Sequence, residues 1–213
     1  MRTEHLIDVL AARADPVPQR VTERRLAMAA LGGVGAAAIL MLAAFGVRPD
    51  IEAAARLPMF WVKLLFPAVV AVFAAAAATR LARPGARVGA ISLGIALPFV
   101  ALWLMAAVAL ITAEPAARGA LILGTTWSTC VRDIALLAAP AFVATFWAMR
   151  GLAPTQLALS GAVSGLLAGA IGAVVYALRC PEMASPFIAV WYVAGIGVCA
   201  AAGALAGPRL LHW

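Results

Sequence analysis

Six apolar runs, each close to 20 residues long, divide most of the chain between them, at about 26–46, 58–79, 88–111, 129–149, 155–177 and 186–206. A helix of that length crosses a hydrocarbon core about 30 Å thick, and lipid tolerates only segments that satisfy their own backbone hydrogen bonds. The pattern points to an all-α polytopic membrane protein, a six-transmembrane-helix bundle filling residues 26–213 behind a tail of residues 1–25. Composition excludes a soluble alternative. Of the 213 residues 65% are hydrophobic and 12% charged, against roughly 45–50% and about 25% in a soluble domain. The breaks have local causes. Arg48-Pro49-Asp50 ends the first run, and the basic stretch 80–87 with Pro84-Gly85 separates the second from the third. Glu114-Pro115 closes the third, Arg150-Gly151 with Pro154 divides the fourth from the fifth, and Cys180-Pro181 follows the fifth. Each carries a proline, which cannot continue a helix. The first run exceeds a signal-peptide core of about 7–15 residues and no small-x-small site follows it, so the tail is expected to stay attached.

Six spans place both termini on one side. That side carries ten of the 16 Lys and Arg residues, five of them in the tail as Arg2, Arg13, Arg20, Arg24 and Arg25. Basic residues collect on the cytoplasmic face. The expected topology is therefore a bacterial inner membrane protein with both termini cytoplasmic and the loops 47–57, 112–128 and 178–185 outside. The same asymmetry accounts for the net charge of +7 without direct nucleic-acid binding, because no basic run is interleaved with aromatics.

Two of the three cysteines fall on the outer side, which is oxidising in such a membrane. Cys130 lies at the outer end of the fourth run and Cys180 just past the outer end of the fifth. Cys130, with Ser128 or Thr129 expected as N-cap and Arg132 close by, is predicted to be the more reactive thiol. Cys180 is its partner, flanked by Arg179 and held extended by Pro181. The spacing fits a static structural disulfide equally well. Asp133 and Glu182 complete the outer polar set. No structural metal site is expected there, although two thiolates permit transient capture of a soft metal ion. Cys199 stands apart, in the four-residue series Gly195, Cys199, Gly203, Gly207. This series matches Gly161, Gly165, Gly169 and Ala173 in the fifth run and predicts a small-residue packing seam. Lys63, about five residues inside its span, is expected to snorkel to the headgroups.

No span interior carries an acidic residue, and the chain has no nucleotide loop, no HExxH and no Ser/His/Asp set. No enzyme activity and no cofactor are predicted. The competing readings are a quinone-linked membrane thiol–disulfide enzyme, which needs a second thiol pair, and a structural membrane subunit with a static disulfide. In the tail, Thr3 caps a predicted helix over about 3–14, stopped by Asp15-Pro16. Leu6, Ile7, Leu10 and Ala14 share one face of it, suited to a partner's groove or to the membrane surface.

Several segments carry a further signal: "MRTEHLIDVLA" at the start, "RPD" at 48–50, "FWVKL" at 60–64, "GTTWSTC" at 124–130, "CPEMASPFIAVWY" at 180–192 and "GPRLLHW" at 207–213. With these the chain resembles the NrsF family of six-span inner-membrane anti-sigma factors, negative regulators of an extracytoplasmic-function sigma factor. The resemblance implies that Cys130 and Cys180 sense oxidising or heavy-metal stress outside. It also implies that a sigma factor is held inside, for which the tail and inner loops are the natural grip.

Overall fold

Lipid tails are as apolar as leucine, so helices in a membrane choose their inward faces by close approach rather than by hydrophobicity. The computed structural model, which describes Thr3 and residues 20–83, 85–86, 88–152 and 154–212, is organised on that principle. Its helices are α1 (Val21–Ala44), α2 (Ile51–Ala55), α3 (Pro58–Leu81), α4 (Ile91–Thr112), α5 (Pro115–Leu123), α6 (Trp127–Arg150), α7 (Leu157–Ala177) and α8 (Ser185–Leu210). Six of them, α1, α3, α4, α6, α7 and α8, are long and apolar enough to cross a membrane. The chain is a multi-pass membrane protein, as its hydrophobic runs require.

The glycine-rich α7 is the central helix. It packs against α8, α6, α3 and α1, and 72% of its apolar window is buried, against 11% for the leucine-rich α4 at the periphery. The predicted seam between α7 and α8 is present. A Cβ on Gly161 would collide with the Gly203 carbonyl, and one on Gly165 with the Cys199 carbonyl. Cys199 lies in this seam, buried, with its Cβ against Gly169. On the opposite side of α7, a Cβ at Gly172 would stand 2.6 Å from the Ile134 carbonyl of α6. Two backbones thus press on one helix, which only small residues allow.

The span boundaries differ from those expected mainly at the two ends of the chain. Helix α1 begins at Val21 and α8 runs on to Leu210. Charged residues continue a helix past the hydrocarbon because headgroups and water solvate them there. In α1 these include Arg25, whose guanidinium lies 5.4 Å from the Trp147 ring centroid, and Glu23, 3.7 Å from Arg83. Two short helices, α2 and α5, occupy connections that the sequence presents only as polar breaks. Helix α5 starts with Glu114 in the N-cap position and Pro115 at N1, where the missing proline N–H has no consequence. The predicted tail helix with Leu6, Ile7, Leu10 and Ala14 lies outside the described residues.

Candidate functional site

The end of the bundle that holds Cys130 and Cys180 is built around the link between α7 and α8. Past Ala177 the chain makes one more turn, with the Cys180 N–H bonded to the Tyr176 carbonyl at 3.0 Å. Pro181 then ends the turn, and residues 181–184 belong to no helix. Backbone groups of such a segment have no partners of their own, and near a bilayer that is costly. Three other parts of the chain bond to this link, at its carbonyls or at the Glu182 carboxylate.

The first is the loop after α1. The Arg48 N–H bonds the Leu178 carbonyl at 3.3 Å, and its guanidinium donates to the Cys180 carbonyl at 3.2 Å. Its other edge grips Asp50 through Nε–Oδ1 at 2.7 Å and Nη2–Oδ2 at 2.6 Å. This fork holds the Asp50 carboxyl below its ordinary value and raises Arg48. The clamp is present above the ordinary carboxylate range and is lost only as pH falls through the lowered Asp50 value. Arg179 reaches back to the Phe45 carbonyl, tying the two loops a second time.

The second is Lys63 on α3. It does not snorkel. Its side chain is fully buried, and Nζ donates to the Cys180 carbonyl at 2.5 Å and to the Glu182 carbonyl at 3.0 Å, 5.9 Å from the Tyr192 ring centroid. The reason is the unpaired 180–182 backbone beneath it. Two carbonyls offer the ammonium more than the headgroups would, and the ammonium satisfies both.

The third is the turn between α5 and α6. Thr125 donates its N–H and its hydroxyl to Glu182 Oε1, at 2.7 and 2.6 Å, and the Thr126 hydroxyl stands 4.0 Å from the Cys180 Sγ. Gly124 makes this possible. Its φ is +55°, and a Cβ there would meet the Glu182 carboxyl at 2.7 Å and the Phe187 ring at 2.8 Å. Replacing Gly124 with alanine is expected to break the Thr125–Glu182 bonds and to cost roughly 1–3 kcal/mol from backbone strain and lost pairing. Thermal unfolding of the purified chain should fall accordingly. An unchanged midpoint would show that the turn has slack.

Cys130 is the fourth residue of α6, and its N–H is already bonded to the Thr126 carbonyl at 3.1 Å. The helix starts at Trp127 with Thr126 in the N-cap position, not at Ser128 or Thr129, because Glu182 pulls the Gly124–Thr126 turn inward. Both thiols are free and buried, and they lie within electrostatic reach of one another. Tyr176 lies beside Cys130 and Tyr192 beside Cys180, with the two rings 5.7 Å apart. The Tyr192 hydroxyl is buried and makes no hydrogen bond. Its position follows from a π-helical turn, Ile188–Tyr192, whose Ala189 carbonyl is bonded at 3.2 Å by the Trp103 indole. Asp133, one turn past Cys130 and 8% exposed, is held by Arg132 at 3.1 and 3.0 Å. Arg132 is therefore turned to Asp133, and the buried cationic groups gather at Cys180.

A cleft of about 430 Å³ opens over this arrangement, with Tyr176 and Cys180 among its lining and Arg48, Thr129, Asp133 and Arg179 around it. The cleft itself reaches one thiol, Cys180, and one tyrosine, Tyr176, while Cys130, Tyr192 and Lys63 lie buried behind its lining. Among the described residues no three or more His, Cys, Asp or Glu converge as a metal-ligand set, so a captured soft ion would have the two thiols as its ligands. Of the residues singled out from sequence, Cys130, Cys180, Arg132, Asp133, Arg179, Pro181 and Glu182 all lie at this end. Lys63, Arg48, Thr125, Tyr176 and Tyr192 were not anticipated. The signals available for them were a lone lysine in an apolar run and the compact RPD break.

The family model for the negative regulator of sigma F, NrsF, matches residues 10–213. The probable anti-sigma-F factor NrsF of Azospira oryzae is 45% identical over 213 residues, covering 100% of both chains. The anti-sigma-F factor NrsF of Caulobacter vibrioides is 37% identical over 222 residues, again covering 100% of each. No solved structure matches.

Proposed function

The chain belongs to the NrsF family, the negative regulators of sigma F, and from that premise we propose that it holds an extracytoplasmic-function sigma factor at the cytoplasmic face of a bacterial inner membrane and releases it when Cys130 and Cys180 react on the periplasmic side. The grip is the tail, through Leu6, Ile7, Leu10 and Ala14, together with the inner loops. The inducer is an oxidant or a thiophilic metal ion.

One observation carries the sensing half of this reading. Three separate segments, contributing Arg48, Lys63 and Thr125, converge on the 180–182 link, and a second free thiol, Cys130, lies within electrostatic range of the first. Such a construction makes the link sensitive to whatever joins the thiols. Oxidation forms one S–S bond, gives two electrons to the oxidant and two protons to water, and ties the start of α6 to the α7–α8 link. A soft ion bridging two thiolates ties the same points. Because α7 is the central helix, a pull on its last turn is transmitted along the bundle to the opposite loops. A disulfide contributes about 2–4 kcal/mol, while a near-complete two-state switch needs about 5.5 kcal/mol. One bond therefore gives a graded release, sharpened where the freed sigma factor is drawn off by its own target.

Maleimide mass-tagging of Cys130 and Cys180 in membranes, with sigma-dependent transcription read in the same cultures, tests the proposal. The thiols are expected to change state as transcription rises under oxidant or soft-metal challenge. Cys130→Ser and Cys180→Ser should each abolish induction while repression persists. A pair that stays in one redox state while transcription still responds would sink it and leave a static structural role.

A further inference from the structure

The three cations closest to Cys180 differ in one respect. Arg48 is forked onto Asp50, and Arg179 is spent on a carbonyl at the rim. Farther out, Arg132 is paired with Asp133, and the Glu182 carboxylate is engaged by Thr125. Lys63 and Arg179 both bond backbone carbonyls and no carboxylate, but Arg179 is exposed and screened by solvent, whereas Lys63 bonds two carbonyls and is fully buried. Its neighbours from the other elements are Cys130 on α6, Cys180 after α7, Tyr192 on α8 and the Arg48 guanidinium. The nearest carboxylate in electrostatic reach, Asp50, is already forked onto Arg48, and the other groups there able to become anions are two thiols and a phenol. A buried cation bonded to no carboxylate, held on the carbonyl of the one cysteine that lines the cleft, adds its field to that cleft.

We propose that Lys63 sets the reactant specificity of the thiol site: its ammonium draws small anionic electrophiles to Cys180 and slows cationic ones. The inference rests on the reading above that Cys180 is a reacting thiol. It assigns to Lys63 a role besides anchoring the link. When the Cys180 thiol gives its proton to water and attacks, Lys63 is the charge that faces the thiolate, and it favours an incoming reagent of negative sign. A soft cation is accommodated only once both thiols have given up their protons.

Two methanethiosulfonates of the same chemistry test this, one with an ethylsulfonate tail and one with an ethyltrimethylammonium tail. In each the thiolate attacks the sulfenyl sulfur, a mixed disulfide forms, and methanesulfinate leaves with the electron pair. The full chain carrying Cys130→Ser and Cys199→Ala, in membrane vesicles, leaves Cys180 as the one thiol to label. Rates are divided by those of the same reagents with a free thiol. With Lys63 in place the anionic reagent is expected to react about tenfold faster than the cationic one, the effect of a unit charge a few ångströms away in a partly desolvated site. Lys63→Met should bring the ratio to about one, and Lys63→Arg should keep it. A lysine that merely anchors the link would change both rates together and leave the ratio alone, which overturns the proposal. A ratio at or below one with Lys63 present overturns it without any variant, so a misfolded Lys63→Met does not protect it. In either case, Cys180 labelling with the wrong charge preference leaves the sensor reading standing. If even uncharged methyl methanethiosulfonate fails to label Cys180, both fall together.

Discussion

A chain carrying Gly165→Leu fails to accumulate as a folded membrane protein. The seam between α7 and α8 leaves no room at this position: a Cβ on Gly165 would already collide with the Cys199 carbonyl and lie 3.1 Å from the Ala200 Cα. Both obstacles are backbone, so no rotamer change relieves them and α8 must move away. Moving it also opens the contacts at Gly161 and Gly207, which oppose Gly203 and Leu157 in the same seam. Helix α7 cannot follow α8 outward, because Gly172 on its other face is pressed on the backbone of α6 at Ile134 and Ala138. Overpacking typically costs 1–3 kcal/mol and more where the backbone must shift. Here roughly 3 kcal/mol or more is expected, a large part of a total of about 5–15 kcal/mol. The comparison is Gly197→Leu on α8, the other helix of the seam, where a Cβ meets nothing within 4 Å; that variant should accumulate like the parent. Immunoblotting of washed membranes and thermal unfolding in detergent measure both. Equal stability of the two variants would show that the seam is looser than its geometry.

That seam was legible from sequence because its cause is local. Gly161, Gly165 and Gly169 repeat every four residues, as do Gly195, Cys199, Gly203 and Gly207, and a four-residue period of small residues on a helix is a stripe whatever the rest of the chain does. The spans were legible for the same reason. The site was legible only in part. Cys130 and Cys180 stand out as the cysteines in polar connections, and the arginines and carboxylates beside them are sequence neighbours. Lys63 is another matter. Its depth in the apolar run reads as snorkelling, and what holds it is a pair of carbonyls 117 and 119 positions away. Tyr192 is equally hidden. It faces Cys180 because the sixth span opens with a π-helical turn that shifts the register of everything before Val193, and that turn is stabilised by Trp103 from a different span. The cap of α6 was displaced by a comparable long-range cause: Glu182 engages Thr125 and sets where the turn ends. Local periodicity shows the scaffold, whereas the site depends on which unpaired backbone groups the tertiary fold leaves beside which donors.

Lys63→Glu opens the cysteine end while the remainder of the bundle holds. Lys63 supplies donors to two carbonyls and Glu supplies none. The new carboxylate would face the Cys180 and Glu182 carbonyl oxygens from a fully buried position, acceptor against acceptor, and a buried carboxylate without donors is among the costliest substitutions a protein can receive. Protonation relieves the charge but supplies one donor for two acceptors. The less severe Lys63→Met leaves only the Glu182 carbonyl without its partner, since Arg48 still donates to the Cys180 carbonyl, at about 1–3 kcal/mol. The glutamate variant should cost about 3 kcal/mol or more locally, and the cheapest relief is for the 178–184 link to swing away rather than for the α7–α8 seam to part. Local opening of that size raises the accessible population of a buried thiol about 100-fold. Labelling by uncharged N-ethylmaleimide is therefore expected to quicken about 100-fold at Cys180 and Cys130 in Lys63→Glu, and about tenfold in Lys63→Met. Cys199, locked in the seam, should label no faster than in the parent. Acceleration at all three cysteines would mean that the whole bundle has loosened. An unchanged rate at Cys180 would mean that Arg48 and Thr125 hold the link without Lys63, and that the two hydrogen bonds from its ammonium are dispensable.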